Sequence, residues 1–221
     1  PNTPLAMLSR GQNLVGYKHY SREICNRFIK ASKRNGIHVF RVFDALNDIR
    51  NVVDNAEAIK ECGGHFEGAI SYTMSPVHTL DSYLEYGQKM KDLGADSIAI
   101  KDMAGIMSPK EAYDLVKAVK EAVKLPIVVH THCTTGLGPM TYLKAIEAGA
   151  TTIDCAIACM SGGTSQPPTE SMNYTLKQFG YDAGLNEDVL KEINDFFRPI
   201  RAKALESGLL NPVVMGTDPD S

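Results

Sequence analysis

The chain has 221 residues, 43% of them hydrophobic and 22% charged, with a formal net charge of −3; this is the composition of one globular α/β domain rather than of disordered or fibrous material. Acids and bases are interleaved and Trp is absent, so the sequence offers neither a basic tract that tracks phosphates nor a stacking platform for bases, and nucleic acid is not an expected partner. Five cysteines without the spacing of a secreted domain (Cys25, Cys62, Cys133, Cys155 and Cys159) point to a reducing, cytoplasmic setting, and no apolar run reaches the roughly 20 residues of a membrane span.

Short β-branched runs alternate with amphipathic stretches along the chain, the pattern of a parallel sheet built from βαβ units. Strands are expected at Leu5–Ser9, His38–Asp44, His65–Thr73, Ser97–Asp102, Pro126–His132 and Thr152–Ile157. Helices are expected between them near Ser21–Arg34, Asp48–Glu61, Leu80–Leu93, Pro109–Val123 and Met140–Ala148. Ser108-Pro109-Lys110-Glu111 has the form of a capping box with Pro at the first helical position. Ala112, Leu115, Val116, Val119, Ala122 and Val123 follow it at helical spacing, which predicts one buried stripe. Ile127-Val128-Val129 is apolar on both faces, as a buried parallel strand requires. After Ile157 comes a loop, Gly162-Gly163-Thr164-Ser165-Gln166-Pro167-Pro168, then helical stretches near Thr169–Gln178 and Asn186–Glu206. Residues 1–208 read as one domain and 209–221 as a linker. No Gly-x-Gly-x-x-Gly follows the first strand, which argues against a dinucleotide-binding fold. The alternative is a (β/α)8 barrel, of which six strands are expected here.

The expected strands carry polar residues at their C-terminal ends: Arg10, Asp44, Thr73, Lys101 with Asp102, and His130 with His132. In a parallel barrel that rim is where chemistry is built. Alternation along a strand places Val128, His130 and His132 on one face, Ala99 with Lys101 on another, and Val42 with Asp44 on a third, all read as interior-facing. Two imidazoles on one strand face suit a divalent ion; the competing reading is a pair of hydrogen-bonded core histidines. Lys101 at the end of an apolar strand is costly to bury as an ammonium. It is salt-bridged to Asp44 or Asp102, neutral, or carboxylated by CO2 to an anionic oxygen ligand. Arg10 has the planar fork of a carboxylate clamp, against an ion pair with Asp44 or Asp102. Thr164 reads on its own as turn chemistry. Cys133 alternates away from the histidines and is a bystander. His19, His38, His65 and His78 are scattered and receive no role.

Five segments in one order, Met7-Leu-Ser-Arg-Gly-Gln-Asn-Leu-Val-Gly-Tyr17, Val39-Phe-Arg-Val-Phe-Asp-Ala-Leu-Asn47, Ile100-Lys-Asp-Met-Ala-Gly105, His130-Thr-His132 and Met160-Ser-Gly-Gly-Thr-Ser-Gln-Pro167, resemble the biotin-dependent carboxyltransferase family. Its members are the carboxyltransferase domain of pyruvate carboxylase, the α subunit of oxaloacetate decarboxylase and the 5S subunit of transcarboxylase. The resemblance implies a (β/α)8 TIM-type barrel followed by helices. It implies carboxyl transfer between oxaloacetate and biotin in either direction, with biotin on a separate carrier domain or subunit, and a homodimer. Residue by residue, Lys101 matches the carboxylated lysine that ligates zinc, manganese or cobalt, and His130 and His132 match the two histidine ligands. Arg10 matches the arginine that binds the keto-acid carboxylate, Tyr17 a tyrosine beside the biotin pocket, and Thr164 a threonine that carries a proton between substrate and biotin. Asp44 matches an acid close to the metal that is not itself a ligand. The family's Arg-Asp-Ala-His-Gln-Ser motif, which supplies a further aspartate ligand from the first barrel strand, is absent from this sequence. Together with the opening Pro1-Asn2-Thr3-Pro4, this gives the expectation of a partial barrel: strands three to eight, without the first two, in a segment of a longer enzyme. Two rivals remain, an acyl-CoA lyase or synthase of the same barrel superfamily and a non-catalytic assembly fragment.

Overall fold

The computed structural model describes residues 3–210; the linker expected from Asn211 onward lies outside them. Six strands, β1 (Leu5–Ser9), β2 (Ile37–Phe43), β3 (His65–Ser71), β4 (Ser97–Asp102), β5 (Ile127–Thr131) and β6 (Thr152–Ile153), are neighbours in one sheet in chain order. Each is followed by a helix: α1 (Arg22–Arg34), α2 (Val53–Glu61), α3 (Leu80–Asp92), α4 (Pro109–Val123), α5 (Gly138–Glu147) and α6 (Thr169–Gln178), with α7 (Glu187–Glu206) after them. The chain is therefore an α/β protein with six repeats of the eight that make a (β/α)8 barrel. It divides into two compact units, one of Pro1–Lys101, Leu115–Val128 and Gly149–Thr151, the other of Asp102–Asp114, Val129–Ala148 and the residues from Thr152 on.

In the first unit, β1 to β4 pair in parallel. The register sets Arg41 beside Glu67 and Glu67 beside Ser97, and one step up Phe43 beside Ala69 and Ala69 beside Ala99. The lower rung is polar: Arg41 and the buried Glu67 form a partly buried ion pair, and Ser97 Oγ donates to Glu67 at 3.2 Å. The upper rung, Phe43, Ala69, Ala99 and Val128, is a buried apolar cluster, the layered filling that closes a barrel interior. Residues on the alternate face, among them Phe40, Val42, Phe66, Ile70, Ile98 and Ile100, are almost wholly buried, and each large one contributes roughly 1.5–3 kcal/mol. This corrects one expectation. Val42 does not share the interior face; Phe43 does, and Asp44 lies beyond the last ladder residue, where strand alternation no longer orients it.

In the second unit the capping box forms as read: Ser108 N donates to Glu111 Oε2 at 3.0 Å and Glu111 N to Ser108 Oγ at 3.2 Å. Of the stripe expected on α4, Ala112, Leu115, Val116, Val119 and Val123 are buried, whereas Ala122 is exposed, because 100° per residue carries it off the packed face. β5 is shorter than expected, since Pro126 has no N–H to give a ladder. β6 ends at Ile153 because the chain then turns, leaving Ala156 in a lone bridge to Pro168.

Candidate active site

Arg10 follows β1 directly and precedes a 3-10 turn, Gly11–Asn13. Its N–H donates to the Leu14 carbonyl at 2.7 Å, closing a tight loop. Gly11 has φ +50°, and a Cβ there would stand 2.4 Å from the Asn51 carbonyl oxygen, so only glycine fits. Two asparagines, Asn51 in the turn before α2 and Asn55 in its first turn, pin the loop. Asn55 Nδ2 donates to Ser9 Oγ at 2.7 Å and to the Gly11 carbonyl at 2.8 Å, and Asn51 Oδ1 accepts from Gln12 N at 2.9 Å. The Arg10 guanidinium lies 4.8 Å from the centre of the Tyr17 ring. Its hydrogen bond and charge hold the Tyr17 hydroxyl below the usual phenol range, while Tyr17 itself is 93% exposed. Among the described residues of this unit Arg10 forms no ion pair, so its fork is not consumed by Asp44. Asp44 instead organises its own loop: Oδ2 accepts from Leu46 N at 2.9 Å and Asp48 N at 3.0 Å, and Oδ1 accepts from Asn51 Nδ2 at 2.8 Å.

Lys101 is buried on β4, two residues beyond Ala99 on the same face, with its Nζ 4.3 Å from the centre of the Phe43 ring. An ammonium over an aromatic face is attracted to the ring quadrupole. The sequence reading did not find Phe43; the register that sets it beside Ala69, and Ala69 beside Ala99, cannot be read from alternation along one strand.

In the second unit Asp102, fully buried, turns to the loop that follows it. Oδ1 accepts from Gly105 N at 2.9 Å and Ile106 N at 3.2 Å, and Oδ2 accepts from Met107 N at 2.9 Å and Thr131 Oγ1 at 2.8 Å. Gly105, at φ +70°, brings this loop so close to β5 that a Cβ would stand 2.5 Å from the His132 carbonyl oxygen.

His130 and His132 are brought together, with ring centres 5.0 Å apart and planes inclined by 66°. His130 Nδ1 is 2.8 Å from Asp154 Oδ2, and His132 Nδ1 is 2.6 Å from the Thr164 carbonyl oxygen. A carboxylate and a carbonyl only accept, so each Nδ1 carries the proton and, in the neutral ring, each Nε2 keeps its lone pair. His130 Nε2 is buried and has no hydrogen-bond partner. An orphaned buried lone pair, backed by a carboxylate on the other nitrogen, is the arrangement of a metal-ligating imidazole, so these residues fit a divalent ion. They do not complete its sphere: no group of three or more His, Cys, Asp and Glu side chains in metal-binding geometry occurs among the described residues. The sequence reading missed Asp154; an aspartate inside an expected apolar strand, one strand beyond the His-x-His, was the available signal.

Thr164 is exposed, and its main chain, not its hydroxyl, contacts His132. Its loop is fixed by Cys133 N donating to the Ser165 carbonyl at 2.8 Å and by a bridge between Cys133 and Gly163. The Cys133 thiol lies against Gly138, and burial raises its pKa, in keeping with a bystander. Burial, with Asp154 nearby, pushes Cys155 up to about 12. All five cysteines are free thiols, and no helix of the described residues is long and apolar enough to cross a membrane.

A family model described as HMGL-like matches residues 25–197. The chain is 55% identical over 202 residues to a pyruvate carboxylase subunit of Methanocaldococcus jannaschii, covering 91% of this chain and 36% of that protein. It is 48% identical to the methylmalonyl-CoA carboxyltransferase 5S subunit of Propionibacterium freudenreichii, covering 92% of this chain and 41% of that protein. The carboxyl transferase domain of Rhizobium etli pyruvate carboxylase, solved with pyruvate, superposes with a TM-score of 0.88 at 38% identity over 91% of this chain and 35% of that one. The chain thus spans about two fifths or less of the length of these relatives.

Proposed function

Because the chain belongs to the HMGL-like family, and its similarity is to carboxyltransferases, we propose that it carries a metal-dependent site moving a carboxyl group between oxaloacetate and biotin. The observation that carries the metal half of this reading is the imidazole pair: both Nδ1 atoms are tied back, and His130 Nε2 is buried without a partner. His130 and His132 would hold the ion, with Lys101 as a further ligand once its amine has added CO2 to become a carbamate. When bound, zinc, manganese or cobalt supplies Lewis acidity toward a keto oxygen.

The chain's own residues supply orientation and recognition. The Arg10 fork takes the remote carboxylate of the keto acid in a bidentate pair, which holds the substrate in the site. Tyr17, held beside Arg10 and exposed, offers a flat face to the ureido ring of biotin. In the decarboxylating direction the bond from C3 of oxaloacetate to its carboxyl group breaks, leaving the electron pair as pyruvate enolate. The carboxyl group bonds to N1 of biotin, and the N1 proton ends on the enolate carbon. The reverse sequence carboxylates pyruvate. The biotin carrier is a separate domain or subunit, the assembly a homodimer and the location cytoplasmic.

Thr164 has two roles to be told apart. The resemblance supports its hydroxyl as the proton carrier; the contact to His132 supports its carbonyl as the acceptor that orients that ring. Thr164→Ala removes the first and keeps the second. Loss of transfer with metal retained assigns the hydroxyl; transfer close to wild type leaves only the carbonyl.

The whole reading is tested by isotope exchange between labelled pyruvate and oxaloacetate in the intact protein with free biotin. Exchange that stops on chelation and returns with the divalent ion is the expected result. Metal-loaded protein that shows no exchange, and instead cleaves an acyl-CoA, would replace this reading by the lyase.

A further inference from the structure

We propose that Asp154 is a positioning residue that locks His130 in the Nδ1–H tautomer and so aims its Nε2 at the metal; this rests on the metal site proposed above. Its Oδ2 stands 2.8 Å from His130 Nδ1, and the carboxylate can only accept there. The backbone of Asp154 is fixed from two sides. Its N–H donates to the Val129 carbonyl at 3.0 Å. Its own carbonyl accepts from the hydroxyl of Tyr142, a wholly buried side chain on α5 that also receives Thr131 N at 3.0 Å. The Tyr142 oxygen therefore ties the residue after His130 to the residue that orients His130. Two consecutive strands are clamped so that carboxylate and imidazole meet at one distance, and the Nε2 left over is buried with no partner of its own. A carboxylate behind a ligating histidine fixes its tautomer and raises its basicity, and loss of such a partner typically weakens metal binding by about 10–100-fold.

The test uses the intact protein and its Asp154→Ala, Asp154→Asn and Tyr142→Phe variants, each checked for native secondary structure by circular dichroism. Two quantities are measured: zinc affinity by competition with a chromophoric chelator, and the tautomer of His130 from ring ¹⁵N shifts in metal-free protein at a pH where the ring is neutral. Asp154→Ala is expected to lose the Nδ1–H tautomer and to bind zinc about 10–100-fold more weakly. Asp154→Asn, whose amide oxygen still accepts from Nδ1–H, is expected to retain the tautomer and recover most of the affinity. Tyr142→Phe, which unties the backbone but keeps the carboxylate, is expected to fall between them. An unchanged tautomer and unchanged zinc affinity in Asp154→Ala overturn the assignment. A wild-type protein that keeps the Nδ1–H tautomer yet binds no zinc overturns the metal reading instead, so the two failures are distinguishable.

Discussion

The cations of the first unit rest against aromatic rings, and the imidazoles of the second are turned to oxygen acceptors. Arg10 rests 4.8 Å from the Tyr17 ring, whose exposed hydroxyl it also hydrogen-bonds, and Lys101 lies 4.3 Å from the Phe43 ring; the attraction of a charge to an aromatic face is broad in direction. His130 and His132 each present Nδ1 to an oxygen acceptor, at 2.8 and 2.6 Å, which fixes both the ring plane and the proton. A carboxylate-binding arginine needs to follow its ligand, whereas a ligating imidazole needs its lone pair aimed before the ion arrives. Changes to the directed groups should therefore act almost as switches, and changes to the aromatic-backed cations should be graded.

The largest effect falls on the directed side. His130→Ala should remove most of the bound zinc, measured by elemental analysis, and lower isotope exchange on the order of 10²–10³-fold; retained zinc and exchange would erase the contrast. Asp102→Ala should follow in size. It strands three loop amides and takes one of two acceptors from the Thr131 hydroxyl, and urea unfolding should show a loss of about 3 kcal/mol. Arg10→Lys keeps the charge and loses the fork, so the KM for the keto acid should rise about tenfold with kcat nearly unchanged. A collapse of kcat instead would make Arg10 a directed group as well. Ser108→Ala touches neither group and should cost about 1 kcal/mol of stability through the lost cap, which gives the scale against which the others are read.

The sequence made the strands, the helices and most strand-tip residues legible because each rests on local chemistry. Pro109 and the Ser108–Glu111 pair mark the start of α4, and the helix begins there. The positions of Arg10, Lys101, His130 and His132 followed from runs of apolar residues ending in a polar one. The partners of those residues did not follow. Asp154 is 24 residues from His130, and Phe43 lies two strands before Lys101; such pairings are set by sheet register, which no local pattern states. Asp44 was placed near the metal by resemblance. Its carboxylate is given over to Leu46 N, Asp48 N and Asn51, contacts that short-range turn chemistry could have suggested. The swap of Val42 for Phe43 on the interior face shows the same limit: alternation fixes which residues share a face, but a one-residue slip exchanges the faces entirely.

Gly105 carries a consequence of its own. With φ +70° and the His132 carbonyl 2.5 Å from where a side chain would begin, the position accepts one residue type, while Met103 and Ala104 just before it are exposed. In a saturation library sorted only for soluble folded protein, with no selection for catalysis, codon 105 should return glycine alone while codons 103 and 104 drift freely.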